Sequence, residues 1–231
     1  MRMDKFLVEC GLGSRKEVKE LLKKRKIQVN ASIVTSGQQI IDEEKDEVFY
    51  EKEKLVYKKF RYYILYKKAG YVTALEDSKE RTVMELLPEW VIRKDLVPVG
   101  RLDKDTEGLL LFTNDGKLNH QLLSPKSHVD KTYHVCLEKI ITEEAIEQLR
   151  QGVRIGDYTT LPAQVEQLEE QKISLTIQEG KFHQVKKMLE AVDNKVSYLK
   201  RVSFGRLVLG DLKPGEVREV SLEDIIFLNT K

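Results

Sequence analysis

Apolar residues recur along the chain at two distinct periods. Val18, Leu21 and Leu22 fall on one helical face, and Ser14 followed by Glu17 three residues on has the form of a capping box, so a helix is expected from Arg15 to about Lys24. A shorter helix, capped by Asp4 and ending at Gly11, is expected before it, and Ile27-Gln28-Val29 and Ile33-Val34 are expected to flank a turn at Asn30-Ala31. From Lys59-Phe60 onward the pattern turns to strand. Tyr62-Tyr63-Ile64-Leu65-Tyr66 is continuous, Tyr133 to Leu137 and Ile173 to Ile177 alternate, and Leu109-Leu110-Leu111-Phe112 has the form of a strand buried on both faces. Helices are expected after Asn114-Asp115-Gly116, from Thr142 to Gln151 with Gly152 closing it, and over Val185, Met188, Leu189 and Val192, entered sharply at Gly180. Thr82 and Glu85 form a second capping box, which Pro88 limits to about a turn and a half, and Pro214-Gly215 marks a late hairpin. Strands outnumber helices without regular alternation. The fold class is therefore α+β: a small helical hairpin with short strands over residues 1–58, then a mixed, largely antiparallel sheet with flanking helices over 59–231.

Composition adds little until it is divided along the chain. Charged residues make up 34% of the 231, above the roughly 25% of ordinary soluble proteins, yet 40 basic against 38 acidic residues leave only +2. Residues 1–30 hold nine basic side chains against four acids, and residues 42–53 reverse this with seven acids against two lysines, the look of a solvated surface and linker. On the second expected helix Arg15, Lys19, Lys23 and Lys26 form a stripe that could follow a phosphate backbone, or could simply be solvated. Cys10 and Cys136 lack the spacing of a zinc site or a disulfide framework, and neither a signal-peptide run nor a membrane span is apparent, so a cytoplasmic protein is expected.

Two segments carry candidate chemistry. Arg101, Asp103, Asp105, Thr106 and Glu107 sit between an irregular, exposed loop entered through Pro98-Val99-Gly100 and the apolar strand beyond Gly108, a loop-to-core junction of the kind active sites favour. Three acids within five residues repel one another unless their roles divide, and spacing alone does not choose among them. Lys181, His183, Gln184 and Lys186 or Lys187 gather near a helix N-terminus, where anions are attracted, although His183 as a polar cap with solvated lysines fits equally.

The order Met3-Asp4-Lys5-Phe6-Leu7, Gly11 to Val18 and Ile27-Gln28-Val29-Asn30 resembles the S4 domain, a small RNA-binding module; Ala31 stands where such domains usually carry glycine, which points to a strained or different turn. The run from Gly100 to Gly116 meets Gly-Arg-Leu-Asp-x-x-Thr-x-Gly-Leu-Leu-Leu-x-Thr-Asn-Asp-Gly at every specified position. With Lys131-Thr132-Tyr133 and Glu179 to Met188, it resembles the pseudouridine synthases of the RsuA type, which act on ribosomal RNA, and the likeness spans nearly the whole chain. One departure is Leu65-Tyr66-Lys67-Lys68-Ala69-Gly70, where relatives usually read Leu-Asn-Lys-Pro-x-Gly.

The resemblance implies isomerisation of a uridine to pseudouridine without cofactor or metal. It makes Asp103 the essential acid, Tyr133 the residue stacked on the uracil and Lys186 the counter-charge of Asp103. Arg101, Leu102, Lys181, His183 and Gln184 would contact the substrate, and Arg2, Lys5, Arg15, Lys16, Lys19 and Lys23 would contact RNA from the S4 domain. The implied partner is ribosomal RNA or the assembling small subunit, and a monomer is the default expectation. Ser124-Pro125-Lys126-Ser127-His128 and the short ending after Ile225-Ile226-Phe227 favour 16S over 23S RNA. Two rivals are a non-catalytic S4-type RNA-binding protein and a magnesium-dependent phosphatase, since Asp103-Lys104-Asp105-Thr106 also fits Asp-x-Asp-x-Thr.

Overall fold

The computed structural model describes residues 1–92 and 95–226, with the Ile226 side chain and Phe227 of the expected ending outside them. The chain forms two compact units, Met1–Phe60 and a larger one beginning at Arg61.

The first unit contains α1 (Met3–Glu9), α2 (Arg15–Lys23), β1 (Ile27–Val29), β2 (Ser32–Val34), β3 (Val48–Tyr50) and β4 (Glu53–Lys54), the strands ordered β2-β1-β3-β4 and antiparallel. Met3, Phe6, Leu7, Val18, Leu22 and Ile27 form its core. The Ser14 capping box is present: the Glu17 carboxylate accepts from the Ser14 amide at 2.7 Å and Ser14 Oγ from the Glu17 amide at 3.4 Å. Such a cap contributes about 1 kcal/mol. Asp4, by contrast, does not cap α1. The helix starts at Met3, two residues before an Asp4 cap would start it, and the amides of Met3 and Asp4 donate to the carbonyls of Gln39 and Gly37, so backbone replaces the expected side-chain cap. The basic stripe is also shorter than its spacing suggests: α2 ends at Lys23, Arg25 turns left-handed at φ 56°, and Lys26 pairs with Glu51. Only Asn30 of the two hairpin residues has positive φ, at 55°, so Ala31 avoids the conformation that would have required glycine. The acidic run over 42–53 is not a linker; it supplies β3 and part of β4, with Glu47 pairing Lys54 at 2.6 Å.

The second unit comprises β5 (Tyr62–Lys67), β6 (Val97–Pro98), β7 (Glu107–Thr113), α3 (Gly116–Leu123), β8 (Lys131–Leu137), α4 (Glu143–Gln151), β9 (Arg154–Ile155), β10 (Tyr158–Thr159), β11 (Gln164–Glu169), β12 (Lys172–Ile177), α5 (Gln184–Ala191), β13 (Val196–Phe204), β14 (Leu207–Val208), β15 (Val217–Glu219) and α6 (Leu222–Ile226). One sheet runs β11-β12-β8-β13-β7-β5-β15, with β14 on β13 and β6 on β7; β9 and β10 form a separate pair. Every pairing in the sheet is antiparallel except β13 with β7, an α+β architecture with a largely antiparallel sheet. The strands β5 and β7 are buried on both faces: Tyr63, Leu65, Leu110 and Phe112 enter one core with α4 and α5, while Tyr62, Ile64, Leu109 and Leu111 enter another with α3. Apolar runs without alternation, as in Leu109-Leu110-Leu111-Phe112, follow from that double burial.

Three expectations change in detail. The irregular loop expected after Pro98-Val99-Gly100 is present, but its entry is ordered: Val97–Pro98 forms β6, and buried Val99 donates to the Leu111 carbonyl at 2.7 Å. The capping-box segment after Thr82 is a 3-10 turn, Val83–Leu86, in which Glu85 Oε1 accepts from the Thr82 amide at 2.8 Å. The strands either side of Pro214-Gly215 do not pair as a hairpin; β14 pairs with β13 and β15 with β5. Among the described residues no helix is long and apolar enough to cross a membrane.

Candidate active site

The site begins with a glycine. Gly108, at φ +107°, opens the interior of β7 opposite Arg201 of β13, and a Cβ there would lie 2.1 Å from the Arg201 carbonyl oxygen. Only glycine lets the two strands run parallel this closely. The approach fixes where the chain leaves the core, and residues 100–106 form the loop immediately before that point.

The loop is held from beneath by Lys67, the last residue of β5 and wholly buried. Its ammonium donates to the carbonyls of Asp103 at 3.0 Å, Thr106 at 2.8 Å, Lys104 at 3.3 Å and Lys68 at 3.1 Å. The Thr73 hydroxyl donates to the Leu102 carbonyl at 2.8 Å and accepts from the Leu102 amide at 3.1 Å, and the Gly70 amide donates to the Lys104 carbonyl at 2.7 Å. A buried cation surrounded by carbonyl oxygens is costly to insert and rigid once satisfied. Burial pushes the Lys67 ammonium down to about 8, against the opposing pull of Asp105, Asp103 and Glu107. No role for Lys67 follows from the sequence pattern around it. The available signal was a lysine continuing an otherwise apolar, continuous strand pattern, a position solvated lysines rarely occupy.

On the loop, Asp103 is half-buried and faces α5. Its Oδ2 lies 3.5 Å from Lys186 Nζ and its Oδ1 3.6 Å from His183 Nε2. Lys186 makes its hydrogen bonds elsewhere: Asp105 Oδ1 and Oδ2 accept from it at 2.7 and 2.8 Å. That bond holds the Asp105 carboxyl below the usual carboxylate range, with desolvation opposing. One ammonium thus bridges the two acids, the closer contact being to Asp105. Glu107 points away, accepting from Tyr198 at 2.7 Å and Tyr66 at 3.4 Å.

The helix bearing Lys186 is positioned by its entry turn. Sequence places the sharp bend at Gly180, but the left-handed residue is His183, the N-cap of α5, at φ 52°. Gln184 is 4% exposed and braces this turn: its Oε1 accepts from the Lys181 amide at 2.9 Å and its Nε2 donates to Glu179 at 3.0 Å. Its amide is therefore occupied within the protein. Tyr133 lies on β8, between Leu175 of β12 and Arg201 of β13, and is buried.

Asp103, Leu102, Tyr133, Lys181, His183 and Gln184 line one cavity, with exposed Arg101 at its rim. Thr106 lines it too, and its buried hydroxyl has no partner within the protein. Of the N-terminal basic residues, Arg2 pairs with Asp4, Lys5 lies 3.7 Å from Glu9 and Lys23 pairs with Glu20, while exposed Arg15, Lys16 and Lys19 remain on the α2 surface.

These side chains suit acid-base or nucleophilic work by one carboxylate beside a cationic group, with an aromatic wall and polar groups left for a ligand. They suit a magnesium centre poorly. The Lys186 ammonium sits between the two acids that such a centre would need, and no group of three metal-binding side chains occurs among the described residues.

Comparison with known proteins identifies the family. Residues 61–191 match the family model described as RNA pseudouridylate synthase, and residues 1–48 match the S4 domain. An uncharacterized RNA pseudouridine synthase of Bacillus subtilis is 46% identical, covering 99% of this chain and 98% of its own length. The ribosomal small subunit pseudouridine synthase A of Vibrio vulnificus is 41% identical over 97% of this chain and 98% of its own. The ribosomal large subunit pseudouridine synthase B of Bacillus subtilis is 35% identical over 97% and 93%. A crystal structure of a pseudouridylate synthase superposes with a TM-score of 0.69 at 34% identity, covering 99% of this chain and all of the other. The chain belongs to the RNA pseudouridylate synthases, in the RsuA-type group that carries an S4 domain ahead of the synthase fold.

Proposed function

We propose that the protein converts one uridine of small-subunit ribosomal RNA to pseudouridine, with Asp103 as the essential acid. The observation that carries this reading is the placement of Asp103 in the cavity walled by Tyr133, 3.5 Å from the Lys186 ammonium. The reaction breaks the N1–C1′ glycosidic bond, turns the uracil and joins C5 to C1′, with no net oxidation and no group lost. A positioned carboxylate can attack the sugar or the base, or take a ribose proton. Lys186 sets a positive charge 3.5 Å from the Asp103 carboxylate, and the bidentate hold on Asp105 anchors that ammonium in place. Tyr133 supplies an aromatic face for the uracil once the nucleotide leaves its stack, and Arg101 at the rim occupies the space it vacates or braces the loop. The Thr106 hydroxyl is available to a uracil carbonyl. On the first unit, Arg15, Lys16 and Lys19 contribute contacts to the RNA backbone. A small-subunit substrate is supported by the 41% identity to the Vibrio vulnificus enzyme. A 23S target is the alternative, on the strength of the 35% identity to a large-subunit relative.

Transcripts of 16S and 23S RNA, incubated separately with the protein and mapped for pseudouridine, test both. Conversion of one 16S uridine is expected, and Asp103→Asn is expected to bind the same RNA with no detectable conversion. Activity retained by Asp103→Asn, or modification confined to 23S RNA, contradicts the corresponding part of the proposal.

A further inference from the structure

Phe182 is the most exposed large apolar side chain among the described residues, at 72%, and it stands in the entry turn of α5, the same turn that delivers His183 to Asp103. Its ring stacks on the His183 imidazole, with centroids 3.8 Å apart and planes 19° from parallel, and the far end of that imidazole reaches to 3.6 Å from Asp103. Phe182 is thus one ring removed from the acid. A cation lies beside it: Lys187 Nζ is 5.2 Å from the Phe182 centroid. The turn is fixed in advance by Gln184, which ties the Lys181 amide to Glu179.

We propose that Phe182 is a stacking platform for the nucleobase adjacent to the target uridine, a positioning residue for the substrate rather than a catalytic one. The inference rests on the function proposed above. A flipped nucleotide leaves its neighbour without a stacking partner on one side, and a rigid aromatic face beside the cavity replaces the lost contact. The Lys187 cation alongside suits a phosphate flanking that base and disfavours an apolar protein surface as the occupant. Because the turn is already ordered, the contact loses little conformational freedom on binding.

Two measurements test this. In steady-state conversion of a 16S transcript, Phe182→Ala is expected to raise KM by about 10-fold, within the roughly 5- to 150-fold that loss of one base–aromatic stack implies. The kcat should change far less, Phe182→Trp should restore KM, and Phe182→Leu should not. The second measurement needs no turnover. Trp90 is the one tryptophan of the chain, so in the Trp90→Phe, Phe182→Trp double variant the fluorescence reports the platform alone. Hexauridylate is expected to quench it at low salt. An unchanged KM in Phe182→Ala, full rescue by Phe182→Leu, or emission unmoved by hexauridylate would each overturn the inference. A wild-type protein inert on every ribosomal RNA would instead overturn the functional reading, and the quenching would still report on the platform.

Discussion

The two units use their cations in opposite ways. On α2 of the first unit the lysines and arginines lie on the surface, free or held by single exposed carboxylates such as Glu20 beneath Lys23. In the second unit Lys67 is fully buried and holds the loop that carries Asp103, and Arg201, 2% exposed, donates to the Leu109 carbonyl and so ties β13 to β7. Exposed charge of the first kind is screened by salt and individually weak. Buried charge of the second kind is costly, so it persists only where the backbone around it is over-determined. The surface cations of α2 lie open to solvent, whereas the buried lysine holds backbone geometry.

Removing the buried cation should therefore have the larger effect. In Lys67→Met the carbonyls of Asp103, Lys104 and Thr106 lose their common donor, and a misplacement of about 1 Å at the acid is enough to reduce kcat about 100-fold. The wild-type protein should show the same dependence through pH. Because the folded-state value of Lys67, about 8, lies below its ordinary 10.5, the unfolded chain holds a proton in that window that the folded chain lacks. Stability contributed by this group then rises with pH from about 8 to 10.5, while turnover falls as the ammonium loses a donor. A high-pH fall in turnover that persists unchanged in Lys67→Met would break the link between burial and loop geometry.

An intermediate effect is expected where a cation is shared at the surface of the site. Lys186→Met should lower kcat about 10- to 100-fold by removing the charge beside Asp103. Asp105→Asn should cost only a few-fold, since it weakens the anchor of that charge without removing it. The Asp105 contribution is present above the ordinary carboxylate range and is lost as pH falls through its depressed folded value. Equal losses in the two variants, measured by single-turnover conversion, would mean that Lys186 serves Asp105 alone.

The smallest effect per residue belongs to α2. Alanine at Arg15, Lys16 and Lys19 together should weaken RNA binding and flatten the dependence of log affinity on log salt by about 2, near 0.7 per phosphate contact on single strands. An unchanged slope would remove α2 from the RNA interface.

The two regions also differ in how far they could be read from the residues. The capping box at Ser14, the doubly buried run after Gly108 and the clustering of acids at the loop-to-core junction follow from local periodicity and side-chain chemistry. The family resemblance, carried by the unbroken signature from Gly100 to Gly116, singled out Asp103 among those acids. What was not legible depends on partners distant in the chain. Lys67 bonds to a carbonyl 36 residues away, a contact that involves backbone and leaves no pattern of side-chain types. The left-handed turn at His183 occurs at a non-glycine residue, so Gly180 was the natural but incorrect choice. The α1 start was missed for the same reason as Lys67, because carbonyls from residues 37 and 39 stand in for the cap.

Pseudouridine mapping of ribosomal RNA from a strain deleted for this protein, complemented with the wild-type chain or with Asp103→Asn, decides whether Asp103 is the essential acid. One pseudouridine of 16S RNA is expected to disappear on deletion, return with the wild type and stay absent with Asp103→Asn. Its return with Asp103→Asn at the wild-type level would contradict the claim that Asp103 is the essential acid.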